Sequence, residues 1–186
     1  MTQDNATIVS RSLGYKHMLF YKKAVIIYDL TYLFCSRYLN IKDRTYDQMI
    51  QAARSGKQNI VEGYIDGATS YKSCIQLLNI ARGSLMELLE DYEDYLRTRG
   101  LRQWECDSVE VEAMIRLSKE HNDGDYFLKL AETRNDEVVA NMVITLIQVD
   151  EKLLYNYIQR KSREFVKKGG FSERLTRERL KERHKR

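Results

Sequence analysis

The cations at the end of the chain carry the clearest chemistry. Lys167, Lys168, Arg174, Arg177, Arg179, Lys181 and Arg183 fall in one short stretch, with Lys185 and Arg186 beyond. Such side chains neutralise phosphate oxygens and position a nucleic acid without reading its bases. Residues 160–186 hold 12 Lys/Arg against 4 Asp/Glu, a net of +8, while the remaining 159 residues hold 19 against 23. A mildly acidic body therefore carries a strongly basic end, which suggests an anionic partner, with nucleic acid the commonest. Two plainer readings stay open, a merely solvated tail and one that folds back on the acidic body.

Elsewhere reactive groups are sparse. Ser55, Asn59 and Glu62 recur at steps of four and three, so they share one face of a helix. If that face meets Arg82 or Glu87, the five residues would form a buried hydrogen-bonded network that fixes helix register. Catalysis would need a nucleophile beside a base, and no histidine or cysteine lies near this stripe in sequence. The acidic run Glu87, Glu90, Asp91 and Asp94 reads as a solvated face, because no Glu-x-x-His pair accompanies it. Cys35, Cys74 and Cys106 are far apart, as are His17, His121 and His184, so no metal-ligand spacing exists. Cys35 and Cys74 are expected in the core as small hydrophobes. The expectation is a protein without catalytic residues, cofactor or metal, in a reducing, cytoplasmic compartment.

Helices must position these groups. Phe20, Ala24, Ile27, Thr31, Phe34 and Tyr38 trace an apolar stripe along a first helix predicted over residues 15–39. A second stripe runs through Tyr21, Val25, Tyr28, Tyr32, Cys35 and Leu39, and Ile26, Leu30 and Leu33 add a third patch. A helix apolar over so much of its circumference is either central or buried against another subunit. Tyr21, Tyr28 and Tyr32 favour a subunit interface, since an amphipathic ring suits one. A second helix is predicted over 45–63, and a third runs from a cap at Thr69 or Ser70 to Arg99. A shorter helix follows over 108–120. The last long one begins near Asp125 or, after a break, near Asn135.

Proline is absent and no alternating strand pattern occurs. The fold expected is all-α, an antiparallel up-down four-helix bundle with a short extra helix and a basic C-terminal helical tail. Its expected divisions are a disordered lead over 1–14, the bundle over 15–160 and a basic suffix over 161–186. The residues before Ser12 lack the apolar core of a secretory signal. The greasiest stretch, Ala24 to Ser36, is 13 residues long and interrupted by Asp29, too short to span a bilayer.

Three segments carry a family resemblance. They are Ala53-Arg54-Ser55 leading into Asn59-Ile60-Val61-Glu62-Gly63, then Ile80-Ala81-Arg82-Gly83-Ser84-Leu85 before Glu87, then Val139-Ala140-Asn141-Met142-Val143-Ile144. Over roughly Phe20 to Ile158 the chain resembles the four-helix-bundle family of the 23S rRNA intervening-sequence proteins. That family includes relatives of the accessory variability determinant protein of diversity-generating retroelements. The end from Gly169 to Leu175, with the arginines beyond, is similar to a suffix found on one branch. The resemblance implies a ring-shaped homopentamer and an association with RNA or a reverse-transcriptase-like partner, and no enzymatic activity. Gly56 departs from the family, which usually has a branched apolar residue there, so looser packing of the second helix is expected.

Together these readings describe a non-catalytic oligomeric scaffold whose basic tail binds nucleic acid, RNA before DNA. The alternative is a protein–protein adaptor whose suffix docks on a partner through Phe171 and Leu175. Neither a membrane nor a small-molecule substrate is expected as partner.

Overall fold

The computed structural model describes residues 14–169 and 171–183, with the side chains at 168, 171, 172, 174, 175, 178 and 182 outside that description. The expected lead over 1–14 thus lies, but for Gly14, outside the described residues. Among the described residues a 3-10 turn, Gly14–His17, precedes seven α-helices: α1 Leu19–Tyr38, α2 Arg44–Asp66, α3 Tyr71–Arg99, α4 Val109–Glu120, α5 Gly124–Glu132, α6 Asp136–Lys168 and α7 Phe171–Arg183. Among the described residues there is no strand. No helix of the described chain is long and apolar enough to cross a membrane.

Local chemistry sets most of the boundaries. Asp43, Ser70, Ser108, Asp123 and Asn135 each accept a hydrogen bond from a backbone N–H of the first turn that follows. Each supplies an acceptor to a donor that has no partner within the helix. Gly100 closes α3 at φ 66°, a left-handed conformation that glycine adopts without strain. The last long helix starts at the Asn135 cap, and residues 124–132 form a helix of their own. At its far end α6 runs unbroken past Gln159 to Lys168, and the chain turns at Gly169, whose φ is 72° and ψ 174°. That region is open essentially to glycine alone.

α1 packs against α2 and α6, and α3 packs against the same two helices. α4 lies on α6, and α5 lies on α1. This arrangement accounts for the breadth of the apolar surface of α1. Phe20, Ala24, Ile27 and Phe34 are buried, and so are Ile26, Leu30 and Cys35 on its other faces. The helix is central within its own chain, while its Leu19 and Tyr32 stay exposed at 51% and 55%. Arg37 and Tyr38 at its end donate to the carbonyls of Ala131, Glu132 and Arg134 and so hold the end of α5.

An aromatic cluster joins α1 to α3. The Phe34 ring lies 4.9 Å from that of Tyr92 and 4.8 Å from that of Tyr95, both near edge-on. That geometry suits the ring quadrupoles. The Tyr92 hydroxyl donates to Thr31 Oγ1 at 3.1 Å, and the Tyr95 hydroxyl to Asp136 Oδ2 at 2.8 Å. Both polar tips are therefore satisfied.

Gly56 behaves differently from the expectation. It is buried, and a Cβ there would sit 3.0 Å from Leu85 Cγ and Cδ2. The missing side chain lets α2 and α3 approach closely, so packing here is tight rather than loose.

Candidate nucleic-acid interface and buried polar groups

The basic end is helical in both of its parts. Lys167 is exposed on the last turn of α6, and beyond the Gly169 turn Arg177, Arg179, Lys181 and Arg183 are exposed on α7. The side chains of Lys168 and Arg174, and residues Lys185 and Arg186, lie outside the described residues. α7 is poor in apolar residues, and its Leu180 is 48% exposed. Basic residues in the last turn complement the negative end of the helix dipole. Glu173 and Arg177 lie close over Gly169, so the turn and the first coils of α7 form one local unit. Exposed cations at this spacing can track phosphates along a backbone.

The five residues expected to form one polar network fall into separate groups. Ser55 Oγ and Ser84 Oγ share a hydrogen bond of 2.9 Å between α2 and α3. The Asn59 amide donates to Ser55 O at 2.9 Å and to Ser55 Oγ at 3.2 Å. Arg82 faces another way and pairs with Glu151 of α6, its Nε 3.1 Å from Oε1, with the Tyr155 ring 5.2 Å from the guanidinium. Glu62 and Glu87 are exposed and join neither group. The cause is rotational. Arg82 and Ser84 are two positions apart, about 200° around a helix axis, so they meet different neighbours. Ser84 and Glu151, the true partners, stood apart from the expected set.

The third segment of the resemblance has a clear structural task. Buried Asn141 accepts from Trp104 N at 2.8 Å and donates to the carbonyls of Arg102 and Glu137, each at 2.8 Å. One side chain therefore ties the connection between α3 and α4 to α6.

The tyrosines expected at an interface divide. Tyr21 meets Tyr15 edge-on at 4.8 Å, and the Lys57 ammonium lies 4.0 Å over the Tyr28 ring. Both are half-buried within the chain, whereas Tyr32 is 55% exposed. Cys35 and Cys74 are buried, as expected, and Cys106 is exposed. Burial, with Asp91 nearby, pushes the Cys35 thiol up to about 12, so it stays protonated and inert.

Two buried groups escaped the sequence reading. Lys23 of α1 is 2% exposed, and its Nζ donates to the carbonyls of Ser118 and His121, the latter at 2.8 Å. Asp150 of α6 is fully buried, and neither carboxylate oxygen has a hydrogen-bond partner. Burial raises the Asp150 carboxyl well above the ordinary carboxylate range, against the pull of the Lys23 charge. Burial also lowers the Lys23 amine, opposed by Asp150 and reinforced by Lys22. For Asp150 a signal existed, because it interrupts the apolar series Val143, Ile147, Leu154 and Ile158 at a core position. Lys23 offered none, since a long lysine stem beside apolar residues usually carries its charge to solvent.

Among the described residues no group of three or more His, Cys, Asp or Glu is placed to hold a metal ion. Comparison with protein-family models, with curated proteins and with solved structures finds no match to this chain.

Proposed function

We propose that this chain is a non-catalytic helical scaffold that binds nucleic acid, RNA in preference to DNA, through its basic C-terminal end. It works in the cytoplasm as a homo-oligomer, with a pentamer favoured by the resemblance to the 23S rRNA intervening-sequence proteins. In this reading α1, α2, α3 and α6 form an antiparallel up-down bundle, and α4 and α5 are additions to it.

The observation that carries the reading is the exposure of Arg177, Arg179, Lys181 and Arg183 on a helix set beyond a glycine turn, with Lys167 exposed before it. An α-helix so poor in apolar residues is marginal alone in water and gains order against a partner. Several such ends on one assembly would add their attraction through effective concentration. Exposed Tyr32 gives the self-association an apolar contact on the surface of α1.

The test is binding to a mixed-sequence single-stranded RNA, followed by fluorescence anisotropy across a salt series. Affinity falls linearly on logarithmic axes, with a slope of about 0.7 per phosphate neutralised on a single strand. Replacing Arg177, Arg179, Lys181 and Arg183 together by glutamine should reduce that slope by about 3. Cutting after Lys168 should abolish binding while leaving α1 to α6 folded. Binding that ignores salt, or survives the cut, would count against the proposal. Light scattering of the same samples reads the assembly mass, and a monodisperse 22.0 kDa particle would overturn the oligomer.

A second reading has its own support. Val166 is 83% exposed and Leu180 48% exposed, which suits docking of the basic end on a partner protein. In that case Phe171→Ala and Leu175→Ala would abolish partner capture, and neutralising the arginines would not.

A further inference from the structure

A cleft of about 570 Å³ opens between α1, α4 and α6. Its volume falls in the range of sites for small organic ligands. Ile115, Val149 and Leu153 give it apolar walls. Lys119 and Lys152 line it as exposed cations, and Lys23 lines it as a buried one. No carboxylate is among the lining side chains.

The polar groups here are incompletely served. Lys23 Nζ donates only to the neutral carbonyls of Ser118 and His121 and forms no ion pair among the described residues. Two bonds leave one of its three N–H groups without a hydrogen-bond acceptor, and the Phe127 ring lies 5.7 Å from the ammonium. Asp150, the nearest candidate counter-ion, accepts no bond from it. Asn122 Oδ1, on the cleft lining, is buried and also has no partner. A buried ammonium on the lining of a cleft, bonded to no carboxylate, is costly, and an anion arriving beside it would relieve that cost. Burial pushes the Asp150 carboxyl upward, toward its neutral form, which weakens the internal alternative.

We infer that this cleft binds a small apolar monocarboxylic acid, its carboxylate on Lys23 and its hydrocarbon body along Ile115, Val149 and Leu153. Lys119 and Lys152 draw the anion in, and Asn122 Oδ1 accepts from a water held beside the carboxylate. The site uses none of the cations of the basic end.

Octanoate and its neutral counterpart octanol are the probes, titrated by calorimetry into the full chain. Octanoate binds saturably at one per chain, and octanol binds at least about tenfold more weakly, the loss expected of one charge-assisted contact. Lys23→Met lowers octanoate affinity by about tenfold or more, whereas Lys57→Met, remote from the cleft, leaves it unchanged. Because Lys23→Met alters a buried group, Val149→Trp supplies a second arm. It fills the cleft, keeps Lys23 and abolishes binding, with the helical circular dichroism signal retained. Equal binding of octanol and octanoate would reassign the cleft to a plain apolar surface and overturn the inference. So would the absence of saturable binding, or undiminished binding by Val149→Trp.

Discussion

Asp150 lies fully buried on α6 within the electrostatic reach of Lys23 on α1, yet neither of its oxygens accepts a hydrogen bond from that ammonium or any other donor. Two opposite charges brought into one interior would ordinarily meet, because each is costly to bury alone. Here the lysine is turned to the carbonyls of Ser118 and His121, which tether the end of α4 to α1. Burial of the carboxyl pushes its pKa upward, against the pull of the Lys23 charge.

That arrangement fixes a pH dependence. Burial raises the folded-state pKa of Asp150, so its stability contribution is intact below the unfolded carboxylate value of about 3.9 and is lost as pH rises toward the folded value. Asp150→Leu removes two unpartnered buried oxygens and should stabilise the chain by about 1–3 kcal/mol at neutral pH. The gain should shrink as pH falls below the ordinary carboxylate range, where the wild-type group is protonated in both states. Urea melts of both proteins from acid to neutral pH read this directly, and a gain that grows on acidification would refute it.

Two glycines on adjoining helices should respond in opposite directions. Gly56→Val drives methyl groups into Leu85 Cγ and Cδ2, already 3.0 Å from where a Cβ would stand. Overpacking of this kind costs about 1–3 kcal/mol. A Cβ at Gly83 meets nothing within 4 Å, so Gly83→Ala should gain about 0.5–1 kcal/mol from reduced backbone freedom in the unfolded chain. Denaturant midpoints at constant slope check both.

Thiol chemistry should discriminate the three cysteines. Cys106 is exposed, while Cys35 and Cys74 are buried, with burial raising both thiols and the Cys35 thiol reaching about 12. Native protein treated with a maleimide at neutral pH should take up one label, on Cys106, and denatured protein three. Rapid native labelling of Cys35 would show that α1 is not central in the way described.

The link between α3 and α6 through Arg82 and Glu151 is partly exposed, at 27% and 28% of their side chains. Solvent screening keeps such a pair modest, so a double-mutant cycle with Arg82→Met and Glu151→Gln should return a coupling of about 0.2–1 kcal/mol. Coupling between Ser55→Ala and Ser84→Ala reports separately on the contact between α2 and α3. The two cycles should be additive, because no hydrogen bond joins one group to the other.

How far the molecule can be read from its residues follows from the range of each interaction. The start of α3 at Thr69 or Ser70 and its end at Arg99, the starts near Ser108 and Asn135, and the core face of α1 were legible. A cap joins a side chain to a backbone group two or three residues on, and an apolar stripe repeats within one helix. The basic end was legible as charge. Its helical form between Phe171 and Arg183 follows the same local rules, while its partner belongs to another molecule.

Contacts between helices belonged to the tertiary structure. Arg82 meets Glu151 across 69 positions, and Lys23 reaches Ser118 across 95. Nothing local selects those partners; they depend on the rotation of each helix about its axis and on the depth at which it packs. A stripe announces that a face will be covered but not by what. The broad apolar surface of α1 therefore predicts burial equally well within one chain or between copies, and only the packing of α2, α5 and α6 around it shows which of its faces the chain covers itself.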